Sequence, residues 1–513
     1  MRMCLKWARL RPKVSLRISW KINNWSAPIS VRVNLRMVKG ANSTENKRRY
    51  NMKKLLVVTF FLMIGLVLIG CTESEAGTQG IDDEFIYVGN TAATSGAFAG
   101  VGVPFNLAMQ VVFDEYNATH DGRDIKFIHY DDTFNGETGL ALTKKLVEED
   151  KVFALVGHFG TNTVNATMDY LLETGIPMVY GVTGVNSLYF GTEVGNNILS
   201  VQPIYRTEGR MMVARALNES LFGTNGDAKL GDTDKIVVLY SDDDAGQSIK
   251  LGIQDEVTTQ GIASRVVYLP FNANTAAAVV PVALAENPGV ILLSSNQAPA
   301  TAAATALRLN NSTVPVLSSY VNSAAVFSPA QVDAATPLPY NVYANAWVDI
   351  ASTGAAGPTA AQLGDATLAN WNELEADPFY ALGEASFAYL AGFTAEYWEG
   401  FVHDMNMSEL MDGTTAAKSL WANAYAMAGY VAANTFVALL EKVEDFEALT
   451  WESFIAIAEE APINLPMAGS IDWTEGKRMG LTELALTKYQ LTASGWSFAK
   501  IRDIESISEV NAK

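Results

Sequence analysis

Cysteine is almost missing from this chain: only Cys4 and Cys71 occur in 513 residues. With Cys4 outside the mature protein no internal disulfide can form, and cysteine pairing then says nothing about redox compartment. Histidine is nearly as scarce. His120, His129, His158 and His403 stand at no metal-site spacing, so neither a metal nor any other cofactor is expected. His158 follows Gly157 at a strand end, where a structural histidine is the simpler reading than a catalytic base. There is no Gly-x-Ser-x-Gly elbow and no activated cysteine, which argues against an enzyme. The paired acids Asp131 and Asp132 read first as loop or cap residues. No repeat of the solenoid kind is visible. The bulk composition, 49% hydrophobic and 18% charged, excludes disorder, and the length suggests two or three domains at about 150 residues each.

Basic residues are scarce everywhere but at the start. Residues 1–51 hold 13 Lys/Arg and one acid, Glu45; Lys53 and Lys54 follow. From Cys71 onward 21 basic residues face 54 acidic ones, a net of −33. Such a body repels nucleic acid and anionic lipid. The basic opening could be a nucleic-acid arm, but it has little periodicity. A second methionine, Met52, opens a complete export signal, so residues 1–51 read as a mis-started or discarded segment. Lys53 and Lys54 are the positive n-region, and Leu55–Ile69 is an apolar stretch of 15 residues. A spanning helix needs roughly 20, so residues 52–70 are a signal peptide. The stretch ends in Leu68-Ile69-Gly70-Cys71, which resembles the bacterial lipobox. Small Gly70 admits the peptidase, and the Cys71 thiol takes the lipid. Two or more acyl chains on one residue anchor stably where one is marginal. Residues 71–83 are small, polar and acidic, a flexible tether.

Folded sequence begins near Glu84. Phe85–Gly89, Ile125–Tyr130, Val152–Gly157 and Ile176–Tyr180 read as strands. The third is apolar throughout, as for a parallel strand covered on both faces. Between the first two, Phe105, Ala108, Met109, Val112, Phe113 and Tyr116 share one helical face. Further helices are expected over Glu137–Glu149 and through Met168–Glu173. The alternation restarts with strands at Ile236–Tyr240, Val266–Leu269, Val290–Leu293 and Val314–Leu317, a helix near Ile249–Gln260 and Ala-rich helices between. Two rounds of alternation imply an α/β protein with two doubly wound parallel-sheet lobes. Residues 351–378, rich in Ala, Gly, Thr and Pro, read as an inserted loop, with helices around Tyr380–His403 and Trp421–Val443.

The order of these segments resembles the type I periplasmic-binding-protein family, in its leucine/isoleucine/valine-binding branch. The resemblance runs from about residue 84 to 505. It rests on Ser95-Gly96 with a Gly-rich turn, Tyr130-Asp131-Asp132, Val156-Gly157-His158 followed by Thr161-Asn162-Thr163, Gly175-Ile176-Pro177-Met178, and Gly469-Ser470-Ile471-Asp472-Trp473 with Gly476. It implies one lobe of residues 84–204 plus 350–480, another of 205–349 plus 481–513, and a hinge of three crossovers with ligand between the lobes. It implies, too, an extracytoplasmic monomer that hands a small polar solute to an ABC permease with its ATPase, or presents it to a receptor as a sensor.

Thr161, Asn162 and Thr163 follow a buried strand and open a helix, so the threonine hydroxyls would cap it, and its free N–H groups could hold a carboxylate. In the family the position matching Thr161 touches the ligand carboxylate, and Thr183 or Gly184 supplies a second contact, with the Thr183 hydroxyl preferred. Ser95, in the first loop, could approach the same ligand. The family's amino-acid binders have a tyrosine where Val101 stands, an acid near Tyr320 and a second tyrosine at Asn296. Without that acid an α-ammonium loses its charge-assisted partner, unless Asp242, Asp243 or Asp244 substitutes. An amide, urea-like or carboxylate solute therefore fits as well as a branched-chain amino acid. We predict that Cys71→Ser releases the protein from the membrane fraction on cell fractionation; unchanged retention would rule out lipidation there.

Overall fold

Two sheets arise from the apolar segments, and both repeat one strand order. The computed structural model describes residues 79–513 apart from 190–194, 223–227, 323, 334–335, 349–399, 402–403, 406–407, 409, 411–419, 421–422 and 493–494. The signal at 52–70, Cys71, most of the tether, the segment 351–378, His403 and nearly all of the helix expected at Tyr380–His403 lie outside the described residues.

The first sheet contains β1 (Phe85–Ala92), β2 (Asp124–Asp131), β3 (Ala154–Phe159), β4 (Met178–Val182) and β5 (Ile198–Leu199). They run in the order β2-β1-β3-β4-β5, all parallel. Helices α1 (Ala99–Thr119), α2 (Gly136–Glu148) and α3 (Thr161–Thr174) lie between the strands in sequence. Every residue of β3 is buried, because one face meets Phe105, Met109 and Phe113 of α1 while the other meets Val164, Met168 and Leu171 of α3. The strand order reverses between β1 and β3, and open α/β sheets bind ligands beyond the carboxyl ends of strands at such a switch.

The chain then enters the second lobe through α4 (Tyr205–Asn218). Strands β6 (Lys235–Ser241), β7 (Val266–Phe271), β8 (Pro288–Ser294), β9 (Val316–Ser318) and β10 (Val342–Ala346) alternate with α5 (Asp244–Thr259), α6 (Ala276–Ala285) and α7 (Gln297–Leu309), followed by the single turn α8 (Ala324–Phe327). The order β7-β6-β8-β9-β10 repeats that of the first sheet. The chain returns with α9 (Ala424–Leu440), packed on α1, then α10 (Trp451–Ala458) and the small ladder of β11 (Ile463–Leu465) and β12 (Gly469–Ile471). It ends with the antiparallel hairpin β13 (Leu484–Thr492) and β14 (Gly495–Glu505), which widens the second sheet, and with α11 (Ile507–Asn511) against α4.

Several boundaries differ from the sequence expectation for stated reasons. Strand β4 starts at Met178 and β9 at Val316. Pro177 and Pro315 precede them, lacking an N–H but lending their carbonyls to Leu155 and Ile291. Helix α5 starts at Asp244, earlier than Ile249, because the Asp243 carboxylate accepts from the Gly246 N–H at 2.8 Å and caps it. Helix α9 starts at Ala424 because the Asn423 side chain accepts from the N–H groups of Tyr425 and Ala426.

Helices α4 and α5 cross at backbone distance. A Cβ on Gly209 would lie 2.1 Å from the Ile249 carbonyl oxygen, and one on Gly252 would lie 2.0 Å from that of Arg206. Only glycine permits this approach. Gly252→Ala is expected to cost about 1–3 kcal/mol through overpacking, read as a lower midpoint in thermal or urea unfolding; an unchanged midpoint would contradict the close crossing.

Candidate functional site

A cavity of about 90 Å3 opens where the carboxyl ends of β3 and β4 face the start of α7. Its position follows from local backbone. After Phe159 the chain turns at Gly160 with φ +99°, a conformation that favours glycine, and a Cβ there would meet the Phe134 ring at 2.8 Å. Gly160 is the N-cap of α3 and brings no side-chain cap. The capping expected of the threonine hydroxyls is therefore corrected. Thr161, buried, sends its hydroxyl instead to the Thr183 hydroxyl at 2.9 Å and the Tyr205 hydroxyl at 3.4 Å. The uncapped first turn carries partial positive charge.

The residues expected at the site separate into two groups. Thr161, Asn296 and Tyr320 line the cavity. Thr183 stands directly behind Thr161, and its oxygen also accepts from the Val185 N–H at 3.1 Å. Neighbouring Gly184 backs the wall, since a Cβ there would strike the Tyr320 hydroxyl at 2.4 Å. Asn162 is exposed, its amide near the Phe134 carbonyl at 3.5 Å. Ser95 is exposed as well, and its hydroxyl serves Asp131. Neither lines the cavity, because each sits one step outward on a turn that another residue directs inward. Asp242, Asp243 and Asp244 are also elsewhere: they bond Gln247, cap α5 and accept from Asn165 of α3 at 2.9 Å, respectively.

Sequence reading missed Gln202, Tyr205, Gln297, Trp347 and Tyr425, which line the cavity. Gln297 gives its amide hydrogens to the Val321 carbonyl at 3.0 Å and the Tyr425 hydroxyl at 3.4 Å, leaving its own buried oxygen unpartnered. Trp347 and Tyr425 lie beyond the matching motifs, and only the fold brings them there. The remaining wall is apolar, including Phe98, Val101, Phe105, Phe134 and Val182. Among the described residues no Asp, Glu, Lys, Arg or His lines it. Phe98 and Phe134 stack at 3.9 Å between centroids. Phe134 holds φ +63°, secured by its N–H to the Asp132 carboxylate at 2.8 Å. Asp132 also accepts from Thr91 and Thr163 at 2.9 and 2.7 Å, yet burial raises its pKa. A second cavity of about 280 Å3 adjoins the first across Tyr320, Ala424 and Tyr425, toward β10 and the β13–β14 hairpin.

Tyr320 stands where an acid was sought, and its groups are committed. Its hydroxyl donates to the Pro203 carbonyl at 2.5 Å and accepts from Gln202 at 3.1 Å. Its N–H donates to Glu208 at 2.7 Å, as does the Ser319 hydroxyl. His158 is wholly buried between Thr143 and Thr167, and burial lowers its pKa to about 3, so it stays neutral. Among the described residues no cluster of metal ligands occurs and no helix is long and apolar enough to cross a membrane.

Two α/β lobes thus hold a cavity between them, with a helix start at its edge. Residues 86–336 match the family model described as periplasmic binding protein, that of the type I periplasmic binding proteins. That family is extracytoplasmic, and its members are solute-binding proteins, ABC transporter substrate-binding proteins among them, rather than enzymes. No curated protein matches the sequence. Among solved structures, the fold is similar to a fatty acid ABC transporter substrate-binding protein from Thermomonospora curvata, with 17% identity, TM-score 0.58, and 85% of this chain and 96% of that one covered. It is similar to a leucine-binding protein from Thermotoga maritima, with 14% identity, TM-score 0.56, and 83% and 99% covered. It is also similar to an ABC transporter solute-binding protein from R. palustris in complex with benzoate, with 14% identity, TM-score 0.56, and 82% and 97% covered.

Burial raises the Glu208 carboxyl to about 7, against the hydrogen bonds from Ser319 and Tyr320 that lower it. The folded state therefore keeps a proton that the unfolded chain loses near 4.5. The stability this contributes is full below that value and is lost as pH rises through about 7, on the order of 3 kcal/mol. In urea unfolding at pH 5 and pH 8, Glu208→Gln is expected to lose this part of the decline; an identical decline in both proteins would assign it elsewhere.

Proposed function

We propose that this chain is a membrane-tethered, extracytoplasmic solute-binding lipoprotein of an ABC importer. In this reading Cys71 carries the lipid, residues 71–83 form the tether, and a monomer captures a small solute between its lobes for a permease driven by a partner ATPase. Lobe one comprises residues 84–204 and 350–480, lobe two 205–349 and 481–513. The observation that carries the reading is the cavity at the uncapped start of α3, where two lobes supply opposite walls. Thr161 and Tyr205 offer hydroxyls at one end, Asn296 and Gln297 offer amides at the other, and Thr183 orients Thr161 from behind. The helix start favours a carboxylate or the oxygen of an amide. No covalent step is required of any residue in the wall.

Contacts between lobes support capture by closure. Asn165 of α3 reaches Asp244 of α5, and Asn186 reaches Ser248 at 3.4–3.5 Å. A ligand that touches both walls favours this closed form by its differential affinity for it. Thr161→Ala is expected to weaken binding at least about tenfold, the loss of one hydrogen bond to a charged or polar group. Calorimetry with a panel of short carboxylates, amides and amino acids reads the change, with circular dichroism showing that the fold is kept. Unaltered affinity would remove Thr161 from the site.

A further inference from the structure

Resting on the solute-binding reading above, we infer that Glu208 positions Tyr320 in the cleft wall and couples capture of the solute to release of a proton. Glu208 lies on α4 just past the crossover, wholly buried, its N–H bonded to the Ile204 carbonyl. Its two carboxyl oxygens serve one loop. One accepts from the Tyr320 N–H at 2.7 Å, the other from the Ser319 hydroxyl at 2.7 Å. The Ser319 oxygen in turn accepts from the Val321 N–H at 3.3 Å, which leaves its hydrogen for Glu208. Tyr320 lines the cavity, and its hydroxyl is bonded to the crossover at Pro203. One carboxyl thus holds the backbone of a wall residue whose side chain is tied to the hinge.

Two forces oppose each other at this carboxyl. The donors that face it suit the anion, because hydrogen bonds to a charged acceptor are roughly twice as strong as neutral ones. Burial suits the acid and raises its pKa to about 7. Asn345, 1% exposed, lies beside the carboxyl and lowers that pKa, yet neither of its amide atoms is aligned for a hydrogen bond. The amide can turn its nitrogen to the carboxylate or its oxygen to the carboxyl proton. Other charges are settled elsewhere. Tyr205 and Tyr320 feel the charge of Glu208, and burial raises both hydroxyls, so they stay neutral. Arg206 pairs with Asp255, Arg210 with Glu256, and Arg215 with Glu219 and Glu505. Strands β8, β9 and β10 bring no charged side chain.

A solute that draws the lobes together presses on Tyr320 and tightens its loop on Glu208. The anion is then favoured: the carboxyl O–H bond breaks, its electron pair stays on the oxygen and the proton passes to solvent. By linkage, affinity rises with pH, opposite in sign to the stability that the same proton contributes. The first test needs no solute. With isotope-labelled tyrosine, the Tyr320 ring resonance, assigned by its loss in Tyr320→Phe, is expected to shift with a midpoint near pH 7 and to stay fixed in Glu208→Gln. Ser319→Ala, which removes one donor and keeps the carboxyl, should move that midpoint upward. The second test is calorimetry of the full chain with butanoate, butanamide and leucine. The tightest of the three should gain about fivefold in affinity from pH 6 to pH 8. Its heats in phosphate and imidazole at pH 7 should differ by release of a fraction of a proton, and Glu208→Gln should abolish both effects. A Tyr320 resonance that does not titrate, or binding without proton release, would overturn the inference and leave the solute-binding reading standing. Failure of all three probes to bind would overturn the coupling; a Tyr320 titration beside it would show that the solute-binding reading, and not the positioning of Tyr320, had failed.

Discussion

The cleft depends on how one short segment, Ser200 to Ile204, is held as it passes from the first lobe to the second. Nearly every group along it is tied down. The Trp473 indole donates to the Ser200 carbonyl at 2.9 Å, the Leu481 N–H to that of Val201 at 2.9 Å, and the Tyr320 hydroxyl to that of Pro203. The Tyr180 hydroxyl donates to the Gln202 side chain at 2.7 Å, and the Tyr205 N–H donates to Gly184 at 2.5 Å. These partners come from both sheets and from the returning strand of chain near 473–481. Buried backbone groups must find partners, so satisfying this crossover also places Tyr205, Tyr320 and Gln202 around one space. Gly480, at φ +75°, lets the returning chain approach: a Cβ there would sit 2.4 Å from the Gln202 carbonyl oxygen.

The chemistry of the cleft follows from that arrangement. The Tyr180 and Tyr320 hydroxyls are used on the scaffold, so the polar groups left facing the cavity are few and segregated. Thr161 and Tyr205 sit at the helix start, and two amides sit across from them. Acids that the sequence places nearby are absorbed by structure: Asp132 holds the Phe134 turn, Asp243 caps a helix, and Glu208 carries the loop at Ser319 and Tyr320. Among the described residues the wall carries no charge, and a polar or charged group that finds no partner in such a wall is rejected by its own desolvation.

Element type was legible wherever burial was two-sided or one-faced. The strands at 85–89, 125–130 and 236–240 and the helix carrying Phe105 to Tyr116 have periodicities that match their exposure in the fold. Helix α4 escaped because its buried set includes Thr207, Glu208 and Arg215 along with Met211 and Val213, so no apolar stripe marks it. Arg215 is buried with its two terminal nitrogens met by Glu219, Glu505 and the Leu484 carbonyl, partners up to 290 residues away. The β13–β14 hairpin was equally hidden, its pairing partner β10 being far away in sequence.

The sequence by itself determined the class of architecture, the net acidity, and the position of a threonine at the opening of a helix after a buried strand. Those are local properties: period, charge and the spacing of small residues. Tertiary structure alone decided which side chains face the cleft. It turned Thr161 inward and Asn162 outward by one helical step, brought Trp347 and Tyr425 from distant segments, and spent the Tyr320 hydroxyl on the hinge. A side chain's role in a two-lobed protein depends on what the other lobe presents to it. That is fixed by chain crossings whose hydrogen bonds join residues hundreds of positions apart.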